Sequence, residues 1–209
     1  MKNENILILL AFIFATSSIF GQSRKELKKS TQEFRAEYKA DFLKENRSPF
    51  YDHKENLQYL RFFKPKKKFR VKATFTRTPD EVPFEMATYS GMIKPYIKYG
   101  MLSFELKGKK QRMAVYQSLR LREIEEFKDY LFIPFKDFTN GEKTYGGGRY
   151  IDLKTGDIQN NELILDFNQC YNPWCAFSDG YNCPVPPLEN HLQVAIKAGE
   201  KNFAKAVKH

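Results

Sequence analysis

The ten residues KFRVKATFTR, Lys68–Arg77, decide the fold class. Phe69, Val71, Ala73 and Phe75 fall on one side of an extended chain, and Lys68, Arg70, Lys72, Thr74 and Thr76 on the other. A period of two, with branched and aromatic side chains on the apolar side, is the pattern of a half-buried β-strand. Working outward, the same signal recurs in YLRFF, PFEMATY, YIKYGMLSFEL, QRMAVYQS, YLFIPF, RYIDL, ELILDFN and LQVAIKAG. Turn formers separate these runs: Thr78-Pro79-Asp80, Lys107-Gly108-Lys109, Asn140-Gly141, Lys154-Thr155-Gly156-Asp157 and Asp179-Gly180. About nine short runs at this spacing predict a mainly β fold, an antiparallel β-sandwich or partly open barrel. Leu119–Phe127 reads equally as a short helix or a loop. Gly199–His209 reads as a short terminal helix with Phe203 and Val207 inward.

The chain before the first strand has a different texture. Residues 1–22 carry Lys2, then an apolar run from Ile6 to Ala15, then the small residues Thr16, Ser17, Ser18 and Gly21. That is the layout of a secretory signal peptide cleaved near Gly21. The run falls short of the ~20 apolar residues a membrane span needs. Residues 23–48 form the next unit. Leu27, Phe34, Tyr38 and Phe42 repeat at helical spacing, with charges of both signs on the other faces. This predicts an amphipathic N-terminal helix docked on the body of the protein, ended by Arg47-Ser48-Pro49. Residues 49–209 form a single β-rich domain, an ordinary size for one core.

The formal net charge is +10. In an exported protein this is not a nucleic-acid signature; solubility explains it, or contact with an anionic envelope surface or acidic glycans. KPKKKFRVK, Lys64–Lys72, reads structurally as a solvated strand face that keeps an edge charged against pairing. A monomer is expected.

The chemistry concentrates in DFNQCYNPWCAFSDGYNCPVPPLEN, Asp166–Asn190, which holds every cysteine and the single tryptophan. Cys170, Cys175, Cys183 and His191 lack the closely spaced pairs of a zinc module, so no metal and no cofactor are expected. No C-x-x-C redox pair is present. Three cysteines permit three bridges. The Asp179-Gly180 turn favours Cys175–Cys183 and leaves Cys170 as a small buried thiol. Asp166 and Asn168 share one side of ELILDFN and project into the loop, which Pro173, Pro184, Pro186 and Pro187 stiffen. Upstream, Gly146-Gly147-Gly148 opens a strand directly before Arg149. Glycines opening a strand allow close approach of a backbone or ligand but do not make a phosphate cradle. Hydrolase motifs are absent; Asp166 and Glu189 are the candidate pair for acid–base work.

TNGEKTYGGGRYIDL (Thr139–Leu153) and LDFNQCYNPWCAFSDGYNCPVPPLENHLQVAIKAGEK (Leu165–Lys201) resemble the domain of unknown function 1684 family. SPF at Ser48–Phe50 and LFIPFKDFTNGEKTY at Leu131–Tyr145 also fit, so the resemblance runs from about Phe42 to Lys201. The family has no established activity. Its pattern matches Arg149, Asp152, Asp166, Asn168, Tyr171, Asn172, Glu189 and Asn190. It carries cysteines at 175 and 183 but not at 170, which implies pairing of the first two; many members look cytosolic, which implies a reversible thiol pair or a pocket rather than a purely structural disulfide. Trp174 stands where a proline is common, which implies an aromatic lid or a surface contact. The leading expectation is a small-ligand or glycan-binding domain, with a polar pocket between Gly146–Gly148 and the Asp166–Asn190 loop. Arg149, Asp166, Asn168 and Asn190 would supply polar contacts, and Tyr171 and Trp174 would stack. A hydrolase using Asp166 and Glu189, or an envelope protein without a pocket, are the alternatives.

Overall fold

Seven antiparallel strands form one strongly curved sheet, a half-barrel. In this computed structural model, which describes residues 23–206, they are β1 (Arg70–Arg77), β2 (Phe84–Ala87), β3 (Ile93–Leu106), β4 (Lys109–Ser118), β5 (Tyr130–Phe135), β6 (Arg149–Lys154) and β7 (Glu162–Asp166). The order is β6-β5-β4-β3-β1-β7, with β2 also on β3. Of the two expected architectures, the partly open barrel is realised: among the described residues no second sheet stacks on the first. The expected signal peptide, residues 1–22, lies outside the described residues, as do Val207 and His209. Among the described residues no helix is long and apolar enough to cross a membrane.

β3 is the spine. It pairs with β4 along nearly its whole length, and with β2 and β1 in succession on its other side. The β3–β4 turn places Lys107 and Gly108 at φ of 56° and 72°, the double positive φ that matches the strand twist of a tight hairpin. β1 alternates as expected, with Ala73 and Phe75 buried and Lys72, Thr74 and Thr76 exposed. It is not an edge, however: β3 and β7 pair on either side of it. Its Lys72 therefore sits on a solvated face and guards no edge.

The main core lies on one face of the sheet and includes Phe69, Leu102, Met113, Leu131, Ile133, Ile151 and Leu165. Leu192, Val194, Ile196 and Ala198 close over that core. They alternate with exposed Gln193 and Lys197, as a strand would, yet LQVAIKAG is not a strand. YLRFF likewise is no strand: it leaves a 3-10 turn at Lys54–Tyr59 and makes only an isolated bridge from Phe62 to Glu200. The expected terminal helix after Gly199 is irregular chain through residue 206. Leu119–Phe127 resolves into two short 3-10 turns.

The helix α1 spans Arg24–Lys44. Ser23 caps it by accepting from the Glu26 N–H, while the Glu26 carboxylate accepts from the Ser23 N–H. Its aromatic stripe packs against the loop layer. Phe42 meets Phe50 and Phe177, and Tyr38 meets Phe62 and Tyr171.

Candidate functional site

Alternation along β5 and β6 builds one wall of a cleft. Leu131, Ile133 and Ile151 point into the main core. Tyr130 and Phe132 on β5, and Tyr150 and Asp152 on β6, must therefore face the other way. The register places Phe132 opposite Asp152. Lys94 and Tyr96 of β3 extend the same wall. The opposite wall is α1, through Phe34, Glu37, Tyr38, Asp41 and Phe42, together with the chain from Tyr171 to Pro184. That chain is pinned to β6 by two backbone hydrogen bonds, Tyr150 N–H to Tyr171 O (2.9 Å) and Tyr171 N–H to Tyr150 O (3.1 Å). The enclosed volume is about 810 Å³, within the range of small-molecule sites.

Aromatic rings line this space almost without a break. Ring centroids are 6.0 Å apart for Tyr96–Phe132, 4.7 Å for Phe132–Tyr150, 5.9 Å for Tyr150–Tyr171 and 5.4 Å for Tyr171–Tyr38. The run ends at the lip with Trp174 and Tyr181, 5.3 Å apart and edge to face. Charged lining residues are Glu37, Asp41, Asp152 and Asp179 against Arg47 and Lys94. In a chain of net +10, the cleft is thus a locally acidic place.

Asp152 is the polar centre of the wall. The Tyr130 hydroxyl donates to it at 2.6 Å, and the Tyr171 hydroxyl at 2.9 and 2.8 Å to its two oxygens. Its side chain has exposed surface, but that surface opens into the cleft and protein packs closely around the rest. Desolvation accordingly raises its pKa, opposed by the two tyrosine hydrogen bonds. Burial likewise holds the Tyr130, Tyr150 and Tyr171 hydroxyls well above their ordinary pKa, so they remain neutral donors. The Tyr96 hydroxyl makes no hydrogen bond among the described residues, and burial pushes it up to about 12.

Behind Tyr38 lies a fully buried acid. Glu200 is 0% exposed; its Oε2 accepts from the Tyr38 hydroxyl (2.9 Å) and the Asn172 N–H (2.8 Å), and its Oε1 has no partner. Desolvation raises Glu200 to about 8, so it is mostly protonated at neutral pH.

The cleft lip is stapled by a disulfide between Cys175 and Cys183, with Cα atoms 6.3 Å apart. The bridged loop is tied to the chain just after α1 by the Tyr181 hydroxyl, which donates to Arg47 O at 2.8 Å. Cys170 is a separate buried thiol, pushed by burial to about 12 and therefore unreactive.

The family model "Protein of unknown function (DUF1684)" matches residues 55–201 of this chain, well over half its length. The chain belongs to the DUF1684 family. The solution NMR structure of an uncharacterized protein from Haloarcula marismortui is similar at 31% identity and a TM-score of 0.66, covering 85% of this chain and 95% of that one. No curated protein matches.

In this DUF1684 protein, several residues singled out from sequence are structural fasteners away from the cleft. Arg149 precedes Tyr150 on β6, so it faces the main core and is 0% exposed. Its guanidinium bonds Asp137 Oδ2 (2.6 Å) and the carbonyls of Ile196, Ala198 and Glu200. No ligand has access to it. Asp166 and Asn168 do not project together into a pocket. The strand ends at Asp166, a 3-10 turn follows, and Asp166 accepts from the Asn168 N–H and side-chain amide at 2.9 and 2.7 Å. Asn168 is buried and clamps the backbone of Lys66. Asn190 is 0% exposed; its amide bonds Ala114 N–H, Ala114 O and Pro134 O, filling the gap where β4 and β5 splay apart.

The carboxylate pair is not assembled. Asp166 takes Arg70 on β1, Glu189 takes Tyr116 on β4 and Lys98 on β3, and neither lines the cleft. The glycine run does meet the loop. Gly148, at φ of 101°, has no room for a Cβ, which would come within 2.7 Å of Pro186 Cγ and Phe135 O. The close approach is protein on protein, and the run does not line the cleft. Tyr171 and Trp174 do line it. Tyr150 and Asp152 were missed, although RYIDL contains the signal. With Ile151 and Leu153 assigned to the core, the alternating residues Tyr150 and Asp152 must face the other way.

Proposed function

We propose that this protein binds a small polar ligand or short glycan in the cleft between α1 and the β3–β5–β6 wall, and that it does so after export. The observation that carries the reading is the continuous aromatic lining around an accessible carboxylate. Aromatic faces offer apolar contact area at low entropic cost, and a few placed polar groups orient the guest. Asp152 has acceptor capacity beyond its two tyrosine donors, and the Tyr96 hydroxyl has no protein partner among the described residues. Those are the groups a ligand would satisfy. The hydrolase reading loses its support because Asp166 and Glu189 are engaged elsewhere. Export is supported by the disulfide at the cleft lip and by the signal-peptide layout of residues 1–22. A separate basic surface, where Lys66, Lys68 and Lys197 crowd Lys107, favours contact with an anionic envelope surface.

The test uses Trp174, the chain's single tryptophan, as a reporter inside the cleft. Saturable change of its fluorescence with a member of a panel of sugars and small metabolites, weakened by Tyr171→Ala, is the expected result. A panel without effect on fluorescence or melting temperature defeats the reading. Fractionation with N-terminal sequencing of the full-length chain tests export, and an uncleaved cytoplasmic product defeats that part.

A further inference from the structure

We propose that the ligand of this cleft is a small organic cation, an ammonium group seated on the tyrosine faces beside Asp152. This rests on the binding reading above and deepens it to a chemical class. The argument starts from what the acids of the protein are paired with. Asp137 has Arg149, Asp166 has Arg70, Glu189 has Lys98, and Glu200 is held mostly protonated by its burial. Asp152 has no ion pair among the described residues; it has only hydroxyl donors. Lys94, a cation of the same lining, is half-buried, feels Arg120, and makes no ion pair with Asp152. An accessible carboxylate without a counter-ion, in a partly desolvated space, is a place where a cation gains most.

The surroundings select which cation. A metal ion wants several oxygen ligands, and among the described residues no three His, Cys, Asp or Glu side chains converge. Here the carboxylate is instead flanked by rings. Tyr171, which donates to Asp152, stands 5.9 Å from Tyr150 at 90° and 5.4 Å from Tyr38 at 48°. Tyr38, Tyr150 and Tyr171 all line this space, so a guest would meet aromatic surface directly beside the carboxylate, the combination that suits quaternary and other alkylammonium groups. A neutral sugar would use the ring faces but would leave the charge of Asp152 uncompensated. An anion would meet repulsion from Asp152 and the other acids of the lining.

The experiment titrates the disulfide-bonded protein with choline and tetramethylammonium while following Trp174 fluorescence. The neutral choline isostere 3,3-dimethylbutan-1-ol and the sugar cellobiose run in parallel. The expected result is saturable binding of both cations, with the neutral alcohol weaker by about tenfold or more, as removal of a cation–π and carboxylate contact implies. Asp152→Asn is expected to erase that preference. The comparison of choline with its isostere needs only the unaltered protein, so it stands even if the variant folds poorly. Equal binding of the alcohol, tighter binding of cellobiose, or undiminished choline preference in a folded Asp152→Asn protein overturns the cation and leaves the cleft as a binding site. Silence from all four probes overturns the cation as well, and the wider panel described above then decides the cleft separately.

Discussion

Glu200→Gln isolates one buried proton. The carboxyl is fully buried, and only Oε2 has donors, from Tyr38 and Asn172. Desolvation raises its pKa from 4.5 to about 8, against the hydrogen bonds and the attraction of Arg149 and Arg35. The folded protein therefore holds a proton that the unfolded chain releases near its ordinary value. Stability from this group is complete on the acid side of 4.5, falls as pH rises, and levels off above about 8. The slope inside that window approaches about 1.4 kcal/mol per pH unit. Between pH 5.5 and 7.5 the wild-type protein should lose about 2–3 kcal/mol through Glu200. Glutamine keeps the shape of the neutral acid and an oxygen for Tyr38 and Asn172, but it does not titrate. Urea unfolding followed by Trp174 fluorescence at a series of pH values gives both curves. Asp152 and Asp166 are also raised by desolvation, but they are common to both proteins and cancel in the difference. The variant should match the wild type within about 1 kcal/mol near pH 5 and exceed it increasingly toward pH 8. Parallel curves across the window would refute the reasoning, since they would mean that Glu200 is already ionised at neutral pH.

Asn190→Ala removes three buried hydrogen bonds at the β4–β5 gap and should cost roughly 3 kcal/mol, read as a lowered urea midpoint. Asn190→Asp should do no better, because the carbonyls of Ala114 and Pro134 would then face a carboxylate. Arg149→Met leaves Asp137 charged and buried and should cost ~3–5 kcal/mol in chemical denaturation. Adding Asp137→Leu should recover part of that loss, and full additivity of the two costs would count against a closed ion pair. Cys175→Ser with Cys183→Ser should lower stability by about 2–3 kcal/mol and shift Trp174 emission. In the folded wild-type protein Cys170 should resist iodoacetamide at pH 8, and rapid alkylation would contradict its burial.

The strands were legible because the sheet has one dry face. β1 and β3 to β6 each place every second side chain in the main core, so period-two apolar runs appear in the sequence. α1 was legible for the same reason at the helical period. What misled was LQVAIKAG, where burial alternates but no strand forms. Periodicity reports which side chains are dry. It does not report what the backbone bonds to. Here the carbonyls of Ile196 and Ala198 go to Arg149, and the Ile196 N–H goes to Asp137. YLRFF failed similarly, because its aromatic side chains pack under α1 and its backbone bonds the C-terminal segment: Phe63 N–H to Gly199 O, and Arg61 O from Lys201 N–H.

That substitution of side chains for strands also explains which site residues were misread. A long loop crossing the core must have its N–H and C=O groups satisfied. Where no strand lies alongside, side chains rich in donors and acceptors do that work, and they are the residue types a ligand site also uses. Arg149 on β6 and Asn168, Asn172 and Asn190 in the loop therefore stand out in the sequence for reasons of folding. The rings of Tyr38, Tyr96, Tyr150 and Tyr171 read as core filler in the sequence; Tyr96 and Tyr150 are indeed buried in a second apolar cluster, and all four also line the cleft, because the second face of the sheet is only partly covered by α1 and the loop. Polar residues already used by the backbone have nothing left for a guest. Among the acids that remain, Asp152 combines access to that space with the lack of a cationic partner among the described residues, and it lies one position along β6 from a core isoleucine.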